Sequence, residues 1–210
     1  MKIAIITDQH FGARNDSLHF LDYYQKFYDD IFFPALDANG IRHVLILGDT
    51  FDRRKYVNFY TYKRAREMFF DRLHARGIKV KMLAGNHDTY FKNTNSVNAL
   101  NEVVRGYDNV RIFTSATTVR TNGIDILYLP WICDENRKQT MELIRSTSAQ
   151  IAMGHLELAG FEMYRGSMVS HGDDVHIFDK FDLVMSGHYH HRSSDGHIFY
   201  FLLDPFRQSS

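Results

Sequence analysis

Short apolar runs alternate along the chain with longer stretches in which apolar residues recur every three or four positions. IAIIT at 3–7, HVLILG at 43–48, IKVKMLAG at 78–85, VRIF at 110–113, IDILYLP at 124–130, QIAMG at 150–154, DLVMSG at 182–187 and HIFYFLL at 197–203 have the length and β-branched content of strands. Between them, Phe20, Tyr24, Phe27, Ile31 and Leu36 mark a helix over about 20–38. Residues 58–75 predict a second helix, which Gly77 is placed to end. Further helices are predicted over about 94–105 and 135–147. The 162–178 stretch is the least patterned and reads as a loop with a short helix. Strands alternating with helices predict a layered α/β domain.

Five of the apolar runs end in polar residues of one chemical kind. IAIIT leads into Asp8 and His10, and VLILG into Asp49 and Asp52. VKMLAG leads into Asn86, His87 and Asp88, IAMG into His155, and LVMSG into His188 and His190. Sites in open α/β sheets form outside the carboxyl ends of strands, so these clusters are expected on one rim. Gly48, Gly85, Gly154 and Gly187 each directly precede one of the polar residues, where a missing Cβ permits a sharp turn and a close backbone approach.

Asp, Asn and His without nearby thiolates suit Mn²⁺, Mg²⁺, Fe²⁺ or Zn²⁺ held for chemistry, and exclude a structural zinc–sulfur site. Asp8, His10, Asp49, Asn86, His155, His188 and His190 are too many ligands for one ion. They fit two ions sharing a carboxylate, which in hydrolytic sites stand roughly 3.5–4 Å apart. Asp88 is expected to orient His87 or a liganding imidazole, and Asp52 to do the same, to cap the segment that follows it, or to touch substrate.

Composition changes this picture little. The formal net charge is zero, but residues 53–81 hold ten Lys or Arg against Glu67 and Asp71. Arg53, Arg54 and Lys55 open that segment and are candidates for contact with a polyanion, as is His191. Tyr56, Phe59, Tyr60 and Tyr62 lie in the same segment, where they could stack on bases or pack against a second copy of the chain. Cys133 is the sole cysteine and reads as packed and inert, in keeping with a reducing cytoplasm. No apolar run reaches the length of a membrane span. The N-terminal run lacks a small-residue cleavage site and reads as a first strand rather than a signal peptide.

DQH at 8–10, GDTFD at 48–52, GNHD at 85–88, GH at 154–155 and GHYH at 187–190 resemble, in order, the motifs of the calcineurin-like metallophosphoesterases. DQHFG at 8–12, GDTFDRR at 48–54, GNHDTY at 85–90 and GHLE at 154–157 resemble the nuclease subunit of the SbcD type, and NTNSVNAL after GNHDTYFK favours its T4-like phage version. The resemblance covers nearly all of 1–203. It implies central β-sheets flanked by helices, with the site at the strand ends. It assigns one ion to Asp8, His10, Asp49 and His190, and the other to Asp49, Asn86, His155 and His188. Water is then the nucleophile, and His87 faces the scissile phosphate. Mn²⁺ is the expected metal.

The same resemblance implies DNA as substrate in recombination and repair, in the host cytoplasm. It also implies a two-fold dimer through helices near 58–75 and 94–105. In full-length members an SbcC-type ATPase is the partner. Here 204–210 reads as an irregular tail, with LDP where the family shows a glycine–serine–proline turn, and the capping and ATPase-binding regions are absent. Several relatives carry His where this chain has Asp52. The competing readings are a small-molecule or cyclic-nucleotide phosphodiesterase and a catalytically weak truncated scaffold. A protein phosphatase is disfavoured because GNHE would be expected in place of GNHD.

Overall fold

Residues 44–47 are apolar at every position, so a strand built from them needs cover on both faces. The computed structural model describes residues 2–121, 123–164, 166–190, 193–194 and 196–200. It supplies that cover by stacking two sheets and laying helices outside each. The elements in order are β1 (Ala4–Ile6), α1 (Ala13–Asp16), α2 (Leu18–Phe27), α3 (Phe33–Ala38), β2 (His43–Ile46), α4 (Phe59–Ala65), α5 (Asp71–Ala75), β3 (Lys79–Leu83), α6 (Ala99–Val103), β4 (Val110–Phe113), β5 (Thr117–Thr121), β6 (Ile124–Leu129), α7 (Arg137–Ser146), β7 (Ile151–His155), β8 (Glu162–Tyr164), β9 (Ser167–Met168), β10 (Leu183–Gly187) and β11 (Ile198–Tyr200).

The first sheet has the order β1-β2-β3-β4 and is parallel throughout. The second has the order β11-β10-β7-β6-β5 and is parallel except where β5 pairs with β6. Alternation along each strand assigns its faces. Val44 and Ile46, with Ile6, Val80 and Met82, meet the helices. Leu45, Leu47, Leu83 and Phe113 meet Ile126, Tyr128 and Met153 of the other sheet, where the Phe113 and Tyr128 rings stack at 4.8 Å. Leu127, Leu129, Ala152 and Val184 turn outward onto Ile144 and Phe178. The helical layer over the first sheet is aromatic: Phe69 lies 4.9 Å from Tyr28 and 5.7 Å from Phe32 between ring centroids. Each such fully buried ring contributes roughly 1.5–3 kcal/mol.

The predicted 20–38 helix is present as α2 and α3 joined by a π-turn at Tyr28–Phe32. Pro34 has no N–H to return to the preceding turn, and the hydrogen-bond ladder shifts just before it. The 58–75 helix is α4 and α5, joined by a second π-turn at Arg66–Phe70. The Asn58 side chain accepts from the Tyr60 and Thr61 N–H groups and starts it; Gly77, at φ 61°, follows its end.

Two expectations need correction. The 94–105 helix is only α6, because asparagines upstream bond elsewhere. Asn95 donates to the Thr114 and Trp131 carbonyls, and Asn98 donates to the Asn95 carbonyl while capping α6. The 162–178 stretch holds the β8–β9 hairpin as well as the expected short helix, a 3-10 turn at Val175–Phe178. The edge strand β5 was not predicted; TTVRT has too little apolar contrast to signal one. The 197–203 strand is described as far as Tyr200, and the 204–210 tail lies outside the described residues.

Candidate metal centre

The five polar-ended runs fall in both sheets: β1, β2 and β3 in one, β7 and β10 side by side in the other. Their carboxyl ends meet where the sheets stack. Beyond β1 and β2 the two chains continue side by side, with Asp8 N–H donating to the Gly48 carbonyl and His10 N–H to the Asp49 carbonyl. Asp8, His10, Asp49 and His188 all have positive φ, between 45° and 96°. Non-glycine residues held in this region at about 1 kcal/mol or more apiece concentrate at functional sites. Two glycines make the junction fit. A Cβ on Gly85 would lie 2.2 Å from Asp49 Oδ1, and one on Gly187 would lie 2.0 Å from Thr7 Oγ1.

The expected ligand atoms form two groups, Asp8 with His10 and His190, and Asp49 with His155 and His188, and a third set of donor atoms, His10 with Asp52 and His87, lies alongside. Within each, the atoms lie within 4.8 Å of one another. Asp49 joins the groups: its Oδ2 is 3.3 Å from His155 Nε2 and 3.7 Å from His10 Nε2. Asn86 Oδ1 is 3.0 Å from both His155 Nε2 and His188 Nδ1, and the Nε2 atoms of His10 and His190 are 3.1 Å apart.

This is the arrangement of lone pairs converging on cations. His155 Nδ1 lies 2.7 Å from the Leu47 carbonyl, which can only accept, so Nδ1 carries the proton and Nε2 is left as a donor of electrons. His10 Nδ1 faces Asp52 Oδ1 at 3.4 Å without a hydrogen bond, while its Nε2 turns to Asp49 and His190. The donor set therefore fits two divalent cations. Asp8, His10, Asp49 and His190 could hold one, and Asp49, Asn86, His155 and His188 the other.

The electrostatics agree. Burial works against ionisation of Asp49, but His155, His10 and His87 outweigh it and hold its carboxyl well below the usual range. Burial works against charge on His155 too, yet Asp49 and Asp8 push its pKa up to about 9. Carboxylates that draw protons onto imidazoles this way also draw metal cations, which displace those protons on binding.

His87 stands beside the groups. Its backbone N–H donates to Asp49 Oδ1 at 2.8 Å, its Nδ1 lies 2.6 Å from the Asp52 carbonyl, and its ring meets His10 edge-on at 4.9 Å. Asp88 does not orient it. The buried Asp88 carboxylate accepts the backbone N–H groups of Thr50, Phe51 and Gly85, tying the loop after β2 to the loop after β3. Burial, and then Asp49, push its pKa up to about 7. Asp52 turns its carboxylate toward His10 Nδ1 and its carbonyl toward His87 Nδ1.

The basic segment is more engaged than its charge suggested. Arg53 reaches Asp16 at 3.2 Å and Asn15 at 2.7 Å, and Arg54 reaches Thr89 Oγ1 at 3.2 Å. Arg64, Arg72 and Arg76 pair with Asp22, Asp29 and Asp37. Lys55 is exposed, and His191 lies outside the described residues. Cys133 is a buried free thiol, as expected. Two supports went unforeseen. Thr7 Oγ1 donates to Asp8 Oδ2 at 2.6 Å, and the Leu47 carbonyl backs His155. A threonine beside an aspartate is too common a pair to signal a site, and a carbonyl has no residue signature at all.

The family model described as calcineurin-like phosphoesterase matches residues 1–192. Exonuclease subunit 1 of Enterobacteria phage T4 is 34% identical over 203 residues. That match takes in 95% of this chain but 58% of the phage protein, so the chain spans well under two thirds of that relative. Among solved structures, a hypothetical protein from Thermus thermophilus is similar at TM-score 0.48 and 17% identity, covering 96% of this chain and 75% of that one. The nuclease MPE of Pseudomonas putida is similar at TM-score 0.46 and 16% identity, covering 94% and 66%.

Proposed function

Because the chain belongs to the calcineurin-like phosphoesterase family, we propose that it is the nuclease subunit of a DNA-end-processing enzyme, hydrolysing phosphodiesters with two Mn²⁺ ions during recombination and repair in the host cytoplasm. The observation that carries the reading is the meeting of two ligand groups at Asp49, with Asn86 completing one of them, in a chain 34% identical to a phage exonuclease subunit. When bound, the ions would supply Lewis acidity, lowering the pKa of water and offsetting charge on the phosphate oxygens.

The chain's own residues do the rest. Asp49 offers one carboxylate to both groups, while Asn86 adds an oxygen without adding charge, so the centre keeps its attraction for an anionic diester. His87 holds its Nδ1–H on the Asp52 carbonyl. Its Nε2 is the atom left to hold or release a proton at the leaving oxygen. Asp88 keeps the two loops in register and acts on substrate only through them.

A homodimer belongs to the same proposal. Phe59 is 91% exposed at the start of α4, and Tyr56, Tyr60, Tyr90 and Phe91 are exposed too. A groove of about 200 Å³ lies there, lined by Tyr56, Val57, Tyr90, Val97 and Ala99 among others. An apolar surface of this kind favours burial against a second copy. The phage relative is described as a subunit, and an SbcC-type ATPase is the proposed partner.

A small-molecule phosphodiesterase is the second reading, favoured by the pairing of Arg53, Arg64, Arg72 and Arg76 with carboxylates. The deciding experiment incubates the chain and Asp49→Ala with Mn²⁺, end-labelled linear DNA and an aryl phosphodiester. Cleavage of DNA that needs both Mn²⁺ and Asp49 supports the nuclease. Hydrolysis of the aryl diester alone moves the assignment to the second reading. Neither reaction, with metal bound, makes the chain a scaffold.

A further inference from the structure

Each imidazole of the centre needs its outer nitrogen satisfied, and two of them show how: His155 has the Leu47 carbonyl and His87 has the Asp52 carbonyl. His10 Nδ1 is buried without a hydrogen bond among the described residues and has the Asp52 carboxylate behind it at 3.4 Å. His188 is placed as His10 is. Its Nδ1 lies 3.0 Å from Asn86 Oδ1, and its backbone N–H donates to Asp8 at 3.1 Å. Its Nε2 is buried without a hydrogen-bond partner among the described residues. The carboxylate that stands behind it is Glu157, with Oε1 at 3.9 Å. The same oxygen lies 3.2 Å from Nε2 of the exposed His171.

The position of Glu157 is built rather than incidental. β7 and β10 are adjacent, with His155 opposite Gly187, so Glu157 follows a ligand by two residues just beyond the pair where His188 begins. The Glu157 carbonyl accepts the Asp173 N–H at 2.8 Å. Gly172 packs so closely that a Cβ there would lie 2.6 Å from the same carbonyl. Asp173 in turn is held by Arg137 at 2.5 Å.

We propose that Glu157 is a positioning residue of the metal centre, accepting the His188 Nε2–H and thereby keeping the Nδ1 lone pair turned toward Asn86 and Asp49. A carboxylate behind a liganding imidazole fixes its tautomer and makes it a stronger ligand; losing such a partner typically weakens metal affinity about 10–100-fold. His171 is then the alternative partner of the same carboxylate. The ordinary alternative is a surface Glu–His pair, which contributes almost nothing. The proposal rests on the two-ion reading above, and its test separates the two.

Mn²⁺ binding to the full chain is measured by calorimetry for the wild type, Glu157→Ala, Glu157→Gln and His171→Ala. Two binding events are expected in the wild type, with one weakened about 10–100-fold in Glu157→Ala and less in Glu157→Gln. His171→Ala is expected to bind as the wild type does or more tightly. In parallel, two-bond nitrogen–proton NMR of the metal-free chain should show His188 protonated at Nε2 in the wild type and as a tautomer mixture in Glu157→Ala. Unchanged affinities and an unchanged tautomer would overturn the proposal. So would equal weakening by His171→Ala. If the wild type binds no Mn²⁺, the two-ion reading itself fails and Glu157 has no centre to position. Should Glu157→Ala lose its circular dichroism signal, the near-isosteric Glu157→Gln carries the comparison.

Discussion

The two ligand groups are alike in composition and unlike in what encloses them. Asp49, His155 and His188 sit inside the junction of the sheets; His155 is fully buried and its ring is held from behind by backbone. In the other group Asp8 and His10 are buried, but the His190 side chain is 39% exposed and closes the group from its solvent side. The difference teaches where the fold has fixed geometry in advance and where it has left access. An ion at the buried position meets ligands already oriented, so binding there should be tight and slow to exchange. An ion at the open position completes its ligand set with a partly solvated histidine and has room for a phosphate oxygen.

The largest expected effect comes from the residue that belongs to both groups. Asp49→Ala should remove the shared carboxylate, abolish two-ion binding, and lower hydrolysis of an aryl phosphodiester by about 10³-fold or more. A variant keeping a tenth of wild-type turnover would show that the groups work independently.

His87 comes next and tests whether chemistry belongs to the open side. It lies against His10, and its donor atom groups with those of His10 and Asp52 rather than with the buried group. His87→Ala should keep both calorimetric binding events while turnover falls about 10²-fold. Loss of an ion together with turnover would make His87 a ligand.

How much of this was legible beforehand follows from what leaves a mark on residue identity. A metal centre needs particular side chains at strand exits, so Asp8, His10, Asp49, Asn86, His155, His188 and His190 all stood out in the sequence, and the structure brings their donor atoms together in two groups. The apolar runs likewise marked most of the strands that frame them: β1 to β4, β6, β7, β10 and β11. What stayed hidden depends on geometry across long separations. Asp88 follows His87 in the chain, which suggested a pair, but its carboxylate turns to the backbone of Thr50 and Phe51. Arg64 and Asp22 are far apart in sequence, so an apparent positive surface was already partly neutralised. β5 was missed because an edge strand of threonines needs no apolar face, and α6 was overextended because asparagine side chains compete for the backbone ahead of it.

The asymmetry between the groups can be measured directly with one histidine from each. His155→Ala should weaken the tighter calorimetric event by about 10²-fold, since it removes a ligand and leaves the Leu47 carbonyl buried without its donor. His190→Ala should weaken the looser event by about 10-fold, because the ring it removes is partly solvated and water can take its place. Equal losses at both positions would erase the distinction between a fixed site and an open one.

The smallest effect sharpens the comparison most finely, because it perturbs chiefly the support of the open group, Thr7 Oγ1 reaching the buried group only through a longer 3.2 Å bond to the Leu47 carbonyl behind His155. Thr7 Oγ1 donates to Asp8 Oδ2 at 2.6 Å and sits under Gly187, with no room for a larger side chain. Thr7→Val keeps the volume and removes the hydroxyl. A hydrogen bond to a charged acceptor contributes about 1.5–3 kcal/mol, but Asp8 retains the His188 backbone N–H, so the net change should stay at the lower end. The expected result is a loosening of the weaker Mn²⁺ event by about 10-fold at most, with the tighter event unmoved. The two binding constants report on different carboxylates only if the groups are separately supported. A Thr7→Val variant in which both constants fall together would mean that the Asp8 and Asp49 loops, hydrogen-bonded side by side beyond β1 and β2, respond as one element. The buried position would then owe its order to the open one.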